Sequence, residues 1–382
     1  MTADQALFDF APLARLMLLG VVIALGPLAW VWLRNRKATM PQRLRALTLL
    51  TVFLTFDLVL FGAFTRLTDS GLGCPDWPGC YAQASPLGAQ TQINTAQAAM
   101  PTGPVTHQKA WIEMIHRYLA SSVGVLILVI AVTTWLQRKS MSPVWPIATL
   151  LWVCIQGAFG AFTVTMKLFP AIVTLHLLGG MVLLALLQMQ ATRYTRGDAW
   201  IVPSSVRTLL LAGFALLWLQ IALGGWVSTN YAVLACTEFP TCQGQWVPPM
   251  DMRQGFELWR ELGQTSAGQT IAFPALVAIH IVHRSFAFIV FAVVGFAAWR
   301  MWQLLALRTL ARGLAALLAL QLVTGLSNVV LGWPLLAAVA HTGGAAGMVL
   351  LLTHALGLTR SANHPIESTR DAQMHPLHAR TP

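Results

Sequence analysis

Four histidines in apolar stretches of the chain recur with matching neighbours and spacing. In each set a His-Arg pair is followed by a second histidine, 60 residues later in the first set and 58 residues later in the second. The four histidines are His116, His176, His283 and His341. Ionisable groups inside a membrane are costly and usually mark function. Because two imidazoles that face each other across a helical bundle can ligate one heme, the duplication predicts two heme sites.

Zinc and the remaining histidines fit this pattern less well. Zinc prefers three or four ligands in a compact set at about 2 Å, whereas the two histidines of each set lie on separate predicted helices. His354 has no counterpart in the repeat and is interpreted as structural, and His107 is left unassigned. The other histidines lie in the polar C-terminal tail, where we interpret them as solvated: His364, His375 and His378.

One position differs between the two sets, and only one set has a carboxylate there. Glu113 lies three residues before His116, and His280 lies three residues before His283. Residues three apart share a helical face, so the carboxylate would lie at the edge of a heme bound by His116 and could transfer protons. The alternative is an interfacial acid that caps the helix N-terminus. The difference predicts that the two sites do different work.

An arginine follows the first histidine of each set, at Arg117 and Arg284. Near a membrane interface a guanidinium can pair with the carboxylates of heme propionates. It can instead anchor the helix end, with its charge reaching the lipid headgroups.

Each set also contains a Cys-x5-Cys loop with an acidic residue, an aromatic residue and a proline in the same order. Disulfides persist outside the cytoplasm, so these loops are predicted to be structural staples or, alternatively, redox-active pairs. The four cysteines are Cys74, Cys80, Cys236 and Cys242. The fifth, Cys154, is interpreted as a small apolar core residue.

Transmembrane helices must position these residues. The chain has 382 residues, of which 56% are hydrophobic and 10% charged, whereas a soluble domain has about 25% charged residues. Nine stretches are long enough to span a bilayer, which takes roughly 20 apolar residues. The predicted spans are 12–33, 46–66, 115–136, 144–165, 171–191, 208–228, 277–299, 313–332 and 335–358. Each predicted ligand lies within about two turns of the outer start of its span.

The net charge of +11 does not indicate nucleic-acid binding, because the basic residues cluster in short loops on one side of this topology. That clustering predicts a cytoplasmic side and a multi-pass protein of the cell inner (plasma) membrane. The C-terminus would then be cytoplasmic and both cysteine loops extracytoplasmic. The first span lacks a basic leading region and a small-residue cleavage site, so an extra uncleaved helix is expected rather than a signal peptide.

The repeat extends beyond the histidines. Each set has a glycine 12 residues before its first cysteine, a glutamine 20 residues before its second histidine, and a glycine four residues after that glutamine. These residues are Gly62, Gln156 and Gly160, and then Gly224, Gln321 and Gly325. The predicted fold is an all-α integral membrane protein with two tandem, pseudo-symmetric four-helix bundles and one extra N-terminal helix.

The predicted division has four parts. Residues 1–40 form the extra helix with its basic loop, 41–200 the first bundle, 201–359 the second bundle, and 360–382 a disordered cytoplasmic tail.

Together these motifs resemble the heme A synthase family. The resemblance rests on GAFTRLTDSGLGCPDWPGC, EMIHR and HIVHR with the two later histidines, and it covers about residues 46–358. It implies oxidation of the C8 methyl of heme O to a formyl group with oxygen from water, which yields heme A for cytochrome oxidase. The extra first helix departs from the family's usual eight spans.

Carried onto this chain residue by residue, the resemblance implies specific roles. His116 and His176 would bind the substrate heme O, with Glu113 as the functionally important glutamate. His283 and His341 would ligate a resident heme b. Cys74–Cys80 and Cys236–Cys242 would be the extracytoplasmic disulfides. The implied partners are heme O synthase (protoheme farnesyltransferase), the cytochrome oxidase assembly machinery and membrane lipid, and a homo-oligomer stays open.

Two other functions fit two bis-histidine hemes. One is a b-type cytochrome that carries electrons from quinol, and the other is a heme-binding assembly chaperone. Glu113 opposite His280 favours the enzyme, since a pure relay needs no carboxylate at only one site.

Overall fold

The computed structural model describes residues 11–195 and 199–361. The predicted tail beyond 361, with its three histidines, lies outside the described residues. The long helices are α1 (Ala11–Arg34), α2 (Met40–Leu67), α4 (His107–Leu136), α5 (Val144–Thr165), α6 (Pro170–Arg193), α7 (Ser204–Thr229), α9 (Phe273–Trp302), α10 (Arg308–Val330) and α11 (Leu335–Leu358). The shorter ones are α3 (Gln90–Ala99) and α8 (Met252–Gly255), with 3-10 turns at Ala232–Ala235 and Leu305–Leu307.

All nine predicted spans are confirmed as apolar helices long enough to cross a membrane, within the part of the chain that the structure describes. The protein is therefore an all-α, multi-pass membrane protein. Five helices begin four or more residues earlier than predicted: α2 at Met40, α4 at His107, α7 at Ser204, α9 at Phe273 and α10 at Arg308. Hydropathy detects the segment that lipid would surround and misses the polar turns that precede it. His116 and His283 consequently lie about three turns into their helices, deeper than expected.

Eight of these helices form two rings with the same order of contacts. In the first ring α2 contacts α4, α4 contacts α5, α5 contacts α6, and α6 returns to α2. In the second ring α7, α9, α10 and α11 contact one another in the same order. The rings meet where α6 packs on α7 and α11, and where α2 packs on α11. The division of the sequence at 41–200 and 201–359 stays a prediction.

Equivalent positions of the two rings touch each other at the ends of α2 and α7. Arg66 lies four residues after Gly62 and donates to the carbonyl of Ser228, the equivalent position after Gly224, at 2.5 Å. Asp69 accepts from the hydroxyl of Tyr231 at 2.5 Å, and these residues are also equivalent. Partial burial raises the pKa of Tyr231, which keeps the hydroxyl a donor. Contacts between equivalent positions indicate a pseudo-twofold axis between the rings.

A two-stranded parallel sheet joins the start of the second ring to its end. Trp200–Val202 (β1) pairs with Thr359–Ser361 (β2). Arg207 at the start of α7 donates to the carbonyls of Leu356 and Thr359. The sequence analysis did not predict these strands, because each is only three residues long and their pairing is set by the distant ends of α7 and α11.

The prediction that Cys154 is a core residue is wrong, because this cysteine is exposed on α5. Only 17% of the most apolar 18-residue stretch of α5 is buried inside the protein. In a membrane-spanning helix an apolar residue can face lipid as readily as protein, so hydrophobicity does not distinguish the two faces.

The extra helix α1 packs along α4, and one close approach depends on glycine. A methyl group added to Gly20 would come 2.7 Å from Cβ of Ser121. Gly26, on the same helix, has open space around the equivalent atom. Small residues let membrane helices approach closely, since lipid provides no hydrophobic drive for their association.

We predict that Gly20→Leu weakens the packing of α1 on α4. Overpacking of this kind costs about 1–3 kcal/mol. Gly26→Leu, which makes a change of equal size where there is room, should have no effect. The thermal unfolding midpoints of both variants in detergent test this, and equal midpoints would contradict it.

Candidate functional site

An arginine holds the disulfide loop in each ring. Arg117 donates to three carbonyls of the loop closed by Cys74–Cys80, at 3.0, 3.2 and 2.5 Å. The acceptors are Asp76, Pro78 and Gly79. Arg284 donates to three carbonyls of the loop closed by Cys236–Cys242, at 3.0, 2.6 and 2.8 Å. Those acceptors are Glu238, Pro240 and Thr241, the equivalent positions.

The acidic residue of each loop also has a structural partner. Asp76 accepts from the backbone N–H groups of Tyr81 and Ala82, at 2.6 and 2.7 Å. Glu238 accepts from the N–H of Gly244 in the second loop. The shared acidic residue is therefore explained by closure of the turn that follows the second cysteine.

Glu113 connects this loop to α4. It is only 4% exposed. Its carboxylate accepts from the N–H of Cys74 at 2.8 Å and forms an ion pair with Arg117. The alternative that Glu113 caps the helix is wrong, because α4 begins at His107 and the hydroxyl of Thr106 accepts from the helix N–H of Lys109. The carboxylate lies one turn from His116, on the side of the disulfide loop.

The second ring has a different contact at the same position. His280 is also 4% exposed, and its Nδ1 lies 3.0 Å from the carbonyl of Ala232, to which it donates. Arg284 therefore has no carboxylate one turn before it on α9, and its second terminal nitrogen is buried without a hydrogen-bond partner. An unpaired buried guanidinium nitrogen is costly. It is a donor suited to an anionic group such as a propionate.

Every predicted ligand lies against a glycine of a neighbouring helix. A methyl group added to these glycines would come 3.1, 3.4, 2.9 and 3.3 Å from the imidazole rings. The pairs, in the same order, are Gly62 with His116, Gly160 with His176, Gly224 with His283, and Gly325 with His341. The glycines that marked the repeat in the sequence are therefore the surfaces on which the imidazoles rest.

Within each ring the two predicted ligands lie on separate helices, His116 on α4 with His176 on α6, and His283 on α9 with His341 on α11. Nδ1 of His176 is buried without a hydrogen-bond partner. Neutral imidazoles in an apolar bundle, with small residues beside them, fit the donor set of a bis-histidine heme. Among the described residues no group of three or more His, Cys, Asp or Glu side chains could hold a metal ion. The assignment of each heme to its ligands stays a prediction.

The sequence analysis missed two residues that contact the imidazoles of the second ring, Gln220 and Thr324. Gln220 on α7 lies 3.1 Å from Nδ1 of His283, and Thr324 on α10 lies 2.9 Å from Nδ1 of His341. Both are close in sequence to a repeat glycine. A comparison of the two halves beyond their shared residues would have found them.

We predict that Glu113→Ala destabilises the protein. Loss of one partner of a buried ion pair typically costs about 3–5 kcal/mol, because the other charge is left unpaired. Thermal unfolding should show the loss, and limited proteolysis should cut the Cys74–Cys80 loop faster. Glu261→Ala changes an exposed glutamate in the loop between α8 and α9 and is the control. Equal proteolysis and stability in both variants would contradict the anchoring role.

Comparison with known proteins gives a family match over most of the chain. The family described as COX15-CtaA, cytochrome oxidase assembly protein, matches residues 45–354. The match covers nearly all of the two helical rings and leaves out α1.

Several curated proteins named heme A synthase are similar to this chain. The one from Shewanella oneidensis is 40% identical over 311 residues, which are 79% of this chain and 92% of that protein. The one from Methylobacterium radiotolerans is 28% identical over 80% of this chain and 87% of its own length. The one from Rhodospirillum centenum is 27% identical over 88% of this chain and 93% of its own length.

Proposed function

The chain belongs to the heme A synthase (COX15-CtaA) family, and from this membership we propose that it oxidises the C8 methyl of heme O to a formyl group. Two successive hydroxylations with water as the oxygen source would give a geminal diol, which loses water to form the formyl group, and each hydroxylation would release two electrons and two protons. The observation that carries the assignment of this chemistry to one half is Glu113, a buried carboxylate that only the first ring has.

The first ring is the proposed substrate site. His116 and His176 would hold heme O. Each imidazole packs against a glycine, so no side chain separates it from the neighbouring helix. Nδ1 of His176 has no hydrogen-bond partner, so packing alone holds this imidazole in place. This is suited to a site whose heme must enter and leave.

Glu113 is the proposed proton acceptor. It lies one turn from His116, and its carboxylate is held between the N–H of Cys74 and the guanidinium of Arg117. These donors hold the carboxylate in place one turn from the predicted ligand, where it could accept a proton released at a bound heme. The loop above it would limit the access of bulk water.

The second ring is the proposed cofactor site, where His283 and His341 would ligate a resident heme b. A heme b there supplies a one-electron carrier for the electrons that leave the substrate. The buried, unpaired nitrogen of Arg284 would bind a propionate. In the first ring the corresponding guanidinium is already paired with Glu113.

The proposed setting is the plasma membrane, with both disulfide loops outside and the C-terminus in the cytoplasm. Heme O would come from heme O synthase, and heme A would be passed to cytochrome oxidase assembly.

We predict that Glu113→Gln abolishes most of the conversion of heme O to heme A. The amide can still accept from Cys74 but cannot take up a proton, and general base catalysis contributes about 10²–10⁴-fold. Hemes extracted from aerobic cells that also make heme O, and separated by chromatography, give the measurement. The absence of heme A in the wild type as well would refute the enzyme and favour a plain cytochrome or a chaperone.

We predict that His283→Ala loses the resident heme b, whereas His116→Ala keeps it. Both changes remove one imidazole that rests on a glycine, so each is the control for the other. The measurement is the low-spin absorbance and the heme b content of each purified variant. Unchanged absorbance in His283→Ala would refute the ligand assignment.

A further inference from the structure

The two rings differ in what contacts the imidazole nitrogens. In the second ring Thr324 Oγ1 donates to the carbonyl of Leu320 at 2.6 Å and lies 2.9 Å from Nδ1 of His341. Because the hydroxyl proton is used by Leu320, the oxygen accepts from Nδ1–H. The lone pair of this imidazole is then on Nε2, where iron would bind.

The other ligand of this ring also has a side-chain partner. The amide of Gln220 lies 3.1 Å from Nδ1 of His283 and 3.3 Å from its carbonyl. The amide oxygen is buried without a partner. The amide nitrogen donates to the backbone carbonyl of His283 and lies against its imidazole, so Gln220 restricts the orientation of this side chain.

The first ring has apolar residues at the same positions. Gln220 lies four residues before Gly224, and Leu58 lies four before Gly62. Thr324 lies one residue before Gly325, and Phe159 lies one before Gly160. Nδ1 of His176 is accordingly buried without a partner, and no hydrogen bond to the ring of His116 is found in the part of the chain that the structure describes.

We propose that Gln220 and Thr324 are positioning residues that make the second ring a retaining heme site, and that their absence from the first ring allows its heme to leave. This inference rests on the proposed function, since it explains how one protein keeps one heme and releases another. A hydrogen bond to the second nitrogen of a ligand histidine fixes the ring orientation and raises its basicity. Loss of such a bond typically lowers affinity about 10–100-fold.

The test is the rate at which the purified full-length protein loses heme b to excess apomyoglobin. Thr324→Val and Gln220→Leu should each speed the loss from the second ring about 10–100-fold. Thr324→Ser, which keeps the hydroxyl, should restore the slow rate, and this rescue would not follow from a packing defect. Thr353→Val changes a different buried threonine, which lies on α11 rather than α10, and is the control.

The reciprocal changes test the first ring. Leu58→Gln combined with Phe159→Thr should slow the loss of heme from His116 and His176, as measured by the same transfer in a His283→Ala background. If the second-ring variants lose heme at the wild-type rate, or the first-ring variant is no slower, the inference is wrong. If Thr324→Val fails to fold, the first-ring result decides.

These outcomes are separable from failure of the proposed function. A wild type that makes no heme A refutes the enzyme whatever the transfer rates are. A wild type that makes heme A, with transfer rates unaffected by these variants, refutes only the role of Gln220 and Thr324.

Discussion

The contact between an imidazole and a glycine on the next helix is the constraint on which both rings depend. Lipid offers no hydrophobic drive for helix association, so these helices must pack closely through small residues. Gly62, Gly160, Gly224 and Gly325 provide that approach at the positions where the polar rings must be covered. A larger residue at any of them would displace the imidazole and separate the helices. Ligand position and bundle closure are therefore set by the same residues.

The disulfide loops extend each ring in the same way. Three carbonyls bind the arginine that follows the first histidine, so the loop is tied directly to the helix that carries this ligand. In the first ring the tie also includes Glu113, which bonds both Arg117 and the backbone of Cys74. The carboxylate thus belongs to the loop as much as to α4. A change in the conformation of the Cys74–Cys80 loop will therefore displace the Glu113 carboxylate, which is the proposed proton acceptor.

Most of the fold follows from the sequence because apolar length and the spacing of histidines and glycines are local signals. The contacts of Arg117 could not be predicted, since carbonyls about 40 residues away in sequence leave no residue-type signature. The start of α4 was misplaced because its first turns are polar, and the alternative that Glu113 caps this helix was wrong with it. The burial of Cys154 was wrong because lipid and protein interior select the same residue types. Gln220 and Thr324 could be predicted from the sequence, because they are polar where the first half has Leu58 and Phe159. They were missed because the repeat was defined by the residues that the halves share.

The differences between the halves fall into a consistent pattern. The first ring has a carboxylate at Glu113 and apolar residues, Leu58 and Phe159, at the positions beside its ligands. The second ring has no carboxylate at that position and instead has Gln220 and Thr324 in contact with its predicted ligands. Polar groups in an apolar bundle are costly unless they have partners. Glu113 is paired with Arg117, and Gln220 and Thr324 contact the two histidines of the second ring. A site that reacts must exchange its heme and move protons, whereas a site that relays electrons must hold its heme in one geometry. In the proposed function, one duplicated backbone would meet both demands through a few side chains around the same four imidazoles.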